Sequence, residues 1–261
     1  MTANPSNGRS KMNPMEVEDL FAKHLKTETR PVAVALWKNR NDLGRKPFPM
    51  KLNICHLLSM ARHGGRTTAG VPDRMVCALG AACTGLVETP ERFRNGEAAV
   101  GKYTETAEAG KTFFEHTYML GDQGKVYDAI EIAPLGDAGF EPGVVLFYVN
   151  PAQVMRLVHS VVWSTGELVA ADTVAEAAVC SAIGFVLGEG RPMIGFPCAG
   201  DRRFGGTQNH ELVFAAPWST VRDTMAPNLA LLAAKGPLYP VPPDVMHEPS
   251  MPPAYTLDCH D

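Results

Sequence analysis

The sequence predicts an α/β (or α+β) protein, a mixed sheet packed with helices in a single compact domain with disordered or arm-like tails. Three observations carry this. PVAVALW (31–37) and VVLFYV (144–149) are short, β-rich apolar runs bounded by polar residues. Other segments repeat apolar residues at i, i+3, i+4 and i+7, the period of a helix with one buried face. At 144–161 a strand, a tight turn and a helix follow one another directly, which suggests a layered arrangement of sheet and helices. With 261 residues, of which 45% are hydrophobic and 20% charged, the chain can bury a core without staples.

Residues 1–13 read as a disordered lead-in. Asn13-Pro14 then opens a helix over Pro14–Lys26, with an N-cap followed by proline at the first helical position, and with Val17, Leu20, Phe21 and Leu25 on one side. Pro31–Trp37 is a strand. Asn53–His63 forms an amphipathic helix on Ile54, Leu57, Leu58 and Ala61, stopped by Gly64-Gly65. Cys55 lies on the shoulder of that stripe beside Leu58 and Arg62. Arg74–Cys77 reads as extended, Ala78–Gly85 as small residues that let backbones approach, and Glu97–Thr117 as a helix interrupted by Gly101 and Gly110. Val144–Val149 is a buried strand, and Asn150-Pro151 caps a helix with Val154, Leu157, Val158 and Val161 inward. Thr173–Leu187, rich in Ala and Val, is a buried helix containing Cys180. Met193–Phe196 and Leu212–Ala216 are strands flanking a long polar connection, and Pro217 starts a final helical region through about Ala234. The domain thus spans 14–235, and the proline-dense stretch 236–261 is an arm or tail, which allows a homo-oligomer held by that arm.

Net charge is −4 and no basic stripe is present, which argues against nucleic acid as a partner. No apolar run approaches the ~18 residues needed to span a bilayer, and the polar N-terminus lacks a signal-peptide apolar region, so no membrane association is expected. The expected compartment is the cytoplasm. Six cysteines there are reduced thiols, metal ligands or redox groups rather than structural disulfides.

The segment Phe196–Pro217 (FPCAGDRRFGGTQNHELVFAAP) carries a cysteine, then Gly-Asp-Arg, then a glutamate before an apolar strand ending in proline. In this it resembles the domain of unknown function 169 family. PVAVALW is similar to that family's early strand, Cys55 with Ala61-Arg62 and Gly64 to its Cys…Ala-Arg…Gly helix, and Cys77 to its second cysteine. Asn150-Pro151 and Val179-Cys180 fall where the family places an asparagine–proline and a further cysteine. The resemblance covers most of 14–235. It supports the fold class and the choice of Cys55, Cys77, Cys180 and Cys198, together with Arg202 and Glu211; Cys83 and Cys259 match no such position and are accessory. It implies no general activity.

Four converging thiolates can hold an iron–sulfur cluster, the four-iron type among them, or a tetrahedral zinc. Gaps of 22, 103 and 18 residues contain no C-x-x-C, so the fold must assemble the ligands. A lone zinc usually shows one close cysteine pair, so the cluster is preferred; Cys77 with Cys83, five residues between them, is an alternative pair. The bland alternative is that buried cysteines pack as small hydrophobes, most plausible for Cys180. In the loop after Cys198, Arg202, or less so Arg203, can anchor a carboxylate or phosphate or lower a thiol pKa, against a plain solvated Asp201–Arg202 pair. Glu211 can pair with an arginine of that loop. His56 points away from Cys55, His63 complements its helix end, and His159 flanks a core face. Neither a phosphate-binding glycine loop nor a G-x-S-x-G elbow is present.

The expectation is therefore a cysteine-ligated redox metalloprotein, with an iron–sulfur cluster on Cys55, Cys77, Cys180 and Cys198 beside a pocket lined by Arg202 and Glu211. It would serve an electron-transfer partner or act on a small anionic molecule. Two alternatives stand beside it: a metal-free small-molecule binding or sensor protein with packing or regulatory thiols, and an enzyme with Cys198 as nucleophile and His210 or a distant histidine as base.

Overall fold

A computed structural model describes residues 11–235, apart from 165, 170, 172, 174 and 175, together with Tyr255. The N-terminal lead-in before residue 11 and nearly all of the C-terminal arm, with Cys259, lie outside the described residues.

In chain order the main elements are α1 (Pro14–Leu25), β1 (Val32–Trp37), α2 (Ile54–Arg62), β2 (Thr68–Gly70), α3 (Ala78–Cys83), α4 (Glu91–Arg94) and α5 (Ala107–Glu115). Then follow β3 (Ala129–Pro134), β4 (Val144–Val149), α6 (Pro151–Val162), α7 (Ala178–Glu189), β5 (Met193–Gly195), α8 (Ala199–Gly205) and β6 (Leu212–Pro217). The chain closes on α9 (Trp218–Thr220), a π-turn (Val221–Met225) and α10 (Ala226–Lys235).

Three helix starts follow from local chemistry. Asn13, Asn53 and Asn150 each accept the N–H of the third helical residue, and that residue's side chain (Glu16, His56, Gln153) reaches back to the cap. These are capping boxes, satisfying two otherwise orphaned donors at each start. At Gly101 the helix fails, whereas Gly110 lies inside one. The expected helix over 97–117 is instead a 3₁₀ turn at Glu97–Ala99, a reversal at Gly101 with φ 74°, and α5 newly capped by Thr106. The stretch at 74–77 expected to be extended starts on the last residue of a 3₁₀ turn, Pro72–Arg74, and holds one bridge, Met75 to Leu52. α7 begins at Ala178, five residues later than its composition suggests.

The sheet runs β2-β3-β1-β4-β6-β5, and every ladder in it is antiparallel. Within the expected class the chain is therefore α+β, with an antiparallel rather than mixed sheet. Both faces are covered. Val144, Leu146 and Tyr148 of β4 face one core, shared with α2, α3 and α7; Val145, Phe147 and Val149 face another, shared with α1, α6 and the C-terminal helices. Double coverage is why β4 reads as an unbroken apolar run rather than an alternation. The cysteines belong to the first layer. Among the described residues no helix is long and apolar enough to cross a membrane.

Candidate thiol site

Each of the four predicted cysteines stands at the start of a helix. Cys55 is the second residue of α2 and Cys180 the third of α7, while Cys77 and Cys198 are the residues that cap α3 and α8. Tertiary packing brings the starts together in the layer above the sheet. The Cys55 and Cys180 thiols hydrogen-bond to one another, and the Cys77 and Cys198 thiols lie within reach of the Cys55 charge. A Cβ on Gly80 would stand 3.1 Å from Cys180 Sγ and 3.6 Å from Cys77 Sγ, so both sulfurs close on the same bare stretch of α3. Cys55, Cys180 and Cys198 are buried, and Cys77 is exposed at the rim.

A backbone donor already faces one of the sulfurs. The Gly80 N–H donates to Cys77 Sγ at 3.4 Å. This favours a thiolate, but burial and neighbouring groups outweigh it. Burial first, then Glu176 and Cys55, pushes Cys198 up to about 11. Burial likewise raises Cys77, even though its edge meets solvent. The hydrogen bond from Cys55, followed by burial, raises Cys180 far above its ordinary value. Without a cation, therefore, Cys77, Cys180 and Cys198 stay protonated at neutral pH. Cys83, the last residue of α3, is fully buried, raised by burial, and within charge reach of Cys77 and Cys198. Among the described residues no group of three or more His, Cys, Asp or Glu side chains is arranged to hold a metal ion.

A polar network braces the site from beneath. Arg62, two turns beyond Cys55 on α2, is fully buried and pairs with Glu211. Its Nη1 donates to Thr207 Oγ1 at 3.3 Å and its Nε to Thr29 Oγ1 at 3.2 Å, and its guanidinium lies 3.6 Å above the Tyr148 ring. Thr207 and Tyr148 donate to the buried Asp201 carboxylate at 2.9 and 3.3 Å. Burial raises the Asp201 carboxyl despite these donors. The network joins α2 (Cys55), α8 (Cys198) and strands β4 and β6, and so helps to set how far apart the two cysteines stand. Asp201, for which a solvated pair with Arg202 was the alternative reading from sequence, is instead wholly buried. Arg62 as its neighbour was hinted at by a charge lying on the apolar shoulder of α2; Tyr148, Thr207 and Glu176 left no signal.

The partner of Glu211 is thus Arg62 of α2 and not an arginine of the Cys198 loop. Arg202 donates to the Gln208 carbonyl at 2.9 Å and to Asn209 Oδ1 at 3.3 Å, closing its own loop. Arg203 lies over Phe204 at 5.4 Å. His210 is on the surface beside Glu28, at 3.3 Å. His56 caps α2 and packs on Phe204, with ring centroids 5.0 Å apart; His63 sits against the Gly205–Gly206 backbone; His159 packs on Trp163.

Fold and site together define a class: a two-faced α+β sheet protein that gathers thiols from four helix starts on one face. The chain belongs to domain of unknown function 169, the family described as "Uncharacterised ArCR", which it matches over residues 20–226. It is also similar to the "Uncharacterized protein MJ0308" of Methanocaldococcus jannaschii, 25% identical over 198 residues, covering 74% of this chain and 83% of that protein. No solved structure matches it significantly.

Proposed function

We propose that the protein is a cysteine-ligated redox protein holding an iron–sulfur cluster on Cys55, Cys77, Cys180 and Cys198, active in electron transfer or on a small anionic substrate. One observation carries the proposal: four thiols from distant parts of the chain converge, three of them buried and all lodged at helix starts. Packing alone has no need of this. A Cys, Ala or Val at each position would fill similar space, whereas soft thiolates at a shared site are what iron clusters require.

The donor set fits such a group. The Gly80 N–H aims at Cys77 Sγ, the kind of hydrogen bond that tunes a cluster. The first turns of α2 and α7 add the positive end of a helix dipole beside Cys55 and Cys180. A lone zinc usually draws on one close cysteine pair, which the spacing of these four does not supply. When bound, a cluster supplies one-electron chemistry. The chain's own residues do the rest. The thiols would release their protons on ligation, the Gly80 N–H would hold part of the resulting charge, and the Arg62–Glu211 network holds α2 against α8. Cys77, at the rim, gives an electron-transfer partner its shortest approach. The cytoplasm, where thiols stay reduced, suits this reading.

A nucleophilic Cys198 is less well supported. Its thiol is raised to about 11, the opposite of activation, and no histidine is among the groups acting on it. Anaerobic purification, the visible spectrum, and iron and acid-labile sulfide per chain test the proposal. A brown protein containing iron and sulfide is expected, with loading lost in Cys198→Ser. A folded chain still free of iron after reconstitution would sink the idea.

A further inference from the structure

Among the described cysteines Cys77 alone is exposed; Cys55, Cys83, Cys180 and Cys198 are buried. Cys77 caps α3, and the Gly80 N–H of that helix holds its sulfur at 3.4 Å. Across from α3 stands α7, so near that a Cβ on Gly184 would overlap the Cys83 carbonyl oxygen. At Gly80 the same closeness brings in sulfur. The point where a Cβ would sit is 3.1 Å from Cys180 Sγ and 3.6 Å from Cys77 Sγ, and the next atom is the Ile54 Cδ1 methyl at 3.7 Å. One sulfur from the α3 cap and one from α7 thus flank a position that carries no side chain, in apolar surroundings.

Cys77 is the thiol that a reagent in water reaches first, and Cys180 lies next behind it. Cys55 also neighbours Cys180, through their hydrogen bond, but it is buried and offers no such entry. A disulfide has no charge and no donor to satisfy, so it suits this apolar layer. Closing it needs the sulfurs at about 2.05 Å, brought together by rotation of two short side chains between staggered χ1 wells.

We propose that Cys77 and Cys180 are a redox pair that closes into a disulfide by exchange with a low-molecular-weight disulfide. The inference concerns the metal-free chain and does not rest on the cluster reading. In the first step the Cys77 thiol gives its proton to solvent and its sulfur attacks one sulfur of the small disulfide. A mixed disulfide forms, and one small thiolate leaves and takes up a proton. In the second step the Cys180 sulfur, losing its own proton, attacks the Cys77 sulfur and expels the second small thiol. The protein pair is oxidised by two electrons, and the small disulfide is reduced to two thiols. A metal that needs both sulfurs can then bind only to the reduced protein.

The test treats reduced, iron-free full-length protein with oxidised glutathione, blocks the remaining thiols with iodoacetamide, and maps disulfides by mass spectrometry without reduction. In wild type a Cys77–Cys180 bond is expected, with little glutathione left on the chain. Cys180→Ala should instead accumulate a stable glutathione adduct on Cys77, Cys77→Ala should form neither product, and Cys55→Ala should keep the bond. Gly80→Ala retains every thiol and places a methyl against the Cys180 sulfur, so it should slow closure several-fold while leaving adduct formation at Cys77 unchanged. That variant tests the geometry even where Cys180→Ala does not fold. A wild type that keeps its adduct on Cys77, one that joins Cys180 to Cys55 instead, or one that does not react overturns the inference. Closure at the wild-type rate in Gly80→Ala overturns it as well. Because no iron is present, none of these outcomes bears on the cluster reading, which stands or falls on iron content.

Discussion

Arg62 is the side chain on which the lower part of the site depends. Its guanidinium is out of contact with water and is satisfied by Glu211, Thr207, Thr29 and the face of Tyr148. A pair of this kind costs desolvation to form, but removing one partner leaves the other charge buried and alone. Arg62→Ala should therefore destabilise the protein by about 3–5 kcal/mol, read from urea unfolding. The double variant Arg62→Met with Glu211→Leu should recover much of that loss. If the single variant costs less than about 1 kcal/mol, the pair is not the brace described here.

At the scale of elements, the site exists because α3 and α7 lie unusually close. A Cβ on Gly184 of α7 would overlap the Cys83 carbonyl of α3, so only glycine permits the approach. Gly184→Ala, one turn beyond Cys180 on α7 and not itself a proposed ligand, should push α7 off α3. The expected cost is about 1–3 kcal/mol from overpacking, together with reduced iron loading. Unchanged melting temperature and unchanged loading would show that the two helices have slack. The helix starts are local achievements: Asn53 and Asn150 build their caps from residues three apart, and sequence alone exposes them. Strands β2 and β3 escaped detection for a related reason. β2 has three residues, too few for a pattern, and β3 carries Glu131, a charge in a run that otherwise reads as apolar. Glu131 is tolerated because Arg45, far away in sequence, donates to it at 2.8 Å.

Across the whole molecule, the pH response follows from opposed carboxyls. Asp201 and Glu176 are raised, chiefly by burial. For them the stabilising contribution is fully present below the ordinary carboxyl pKa and is lost as pH rises through the raised values. Asp128, held low by Arg40 and then Lys125, has the reverse sign: its contribution is present above the ordinary aspartate pKa and is lost as pH falls through the lowered value. Asp128 lies near the surface, where solvent screens the pair, so the buried carboxyls should govern the neutral side. The metal-free protein should melt at a higher temperature in mildly acid than in neutral buffer, and Asp201→Asn should flatten that slope. A wild-type curve flat across this range would show that burial does not dominate at Asp201.

The amino-acid sequence determines what depends on near neighbours. Capping asparagines, apolar periodicity and the doubly buried run at 144–149 specify the helices and central strand, and the order of Cys55, Cys77, Cys180 and Cys198 marks the candidate residues. It does not determine company. Cys55 and Cys180 are 125 positions apart, and Arg62 and Glu211 are 149. No periodicity spans such gaps, so their meeting is decided by the antiparallel sheet and the helices laid across one face. Asp201 shows the difference most plainly. In sequence it is a charged residue in a polar turn, where solvation is the ordinary outcome. Only the tertiary structure closes Tyr148, Thr207 and Arg62 around it, because burying a carboxylate requires donors that no local segment supplies.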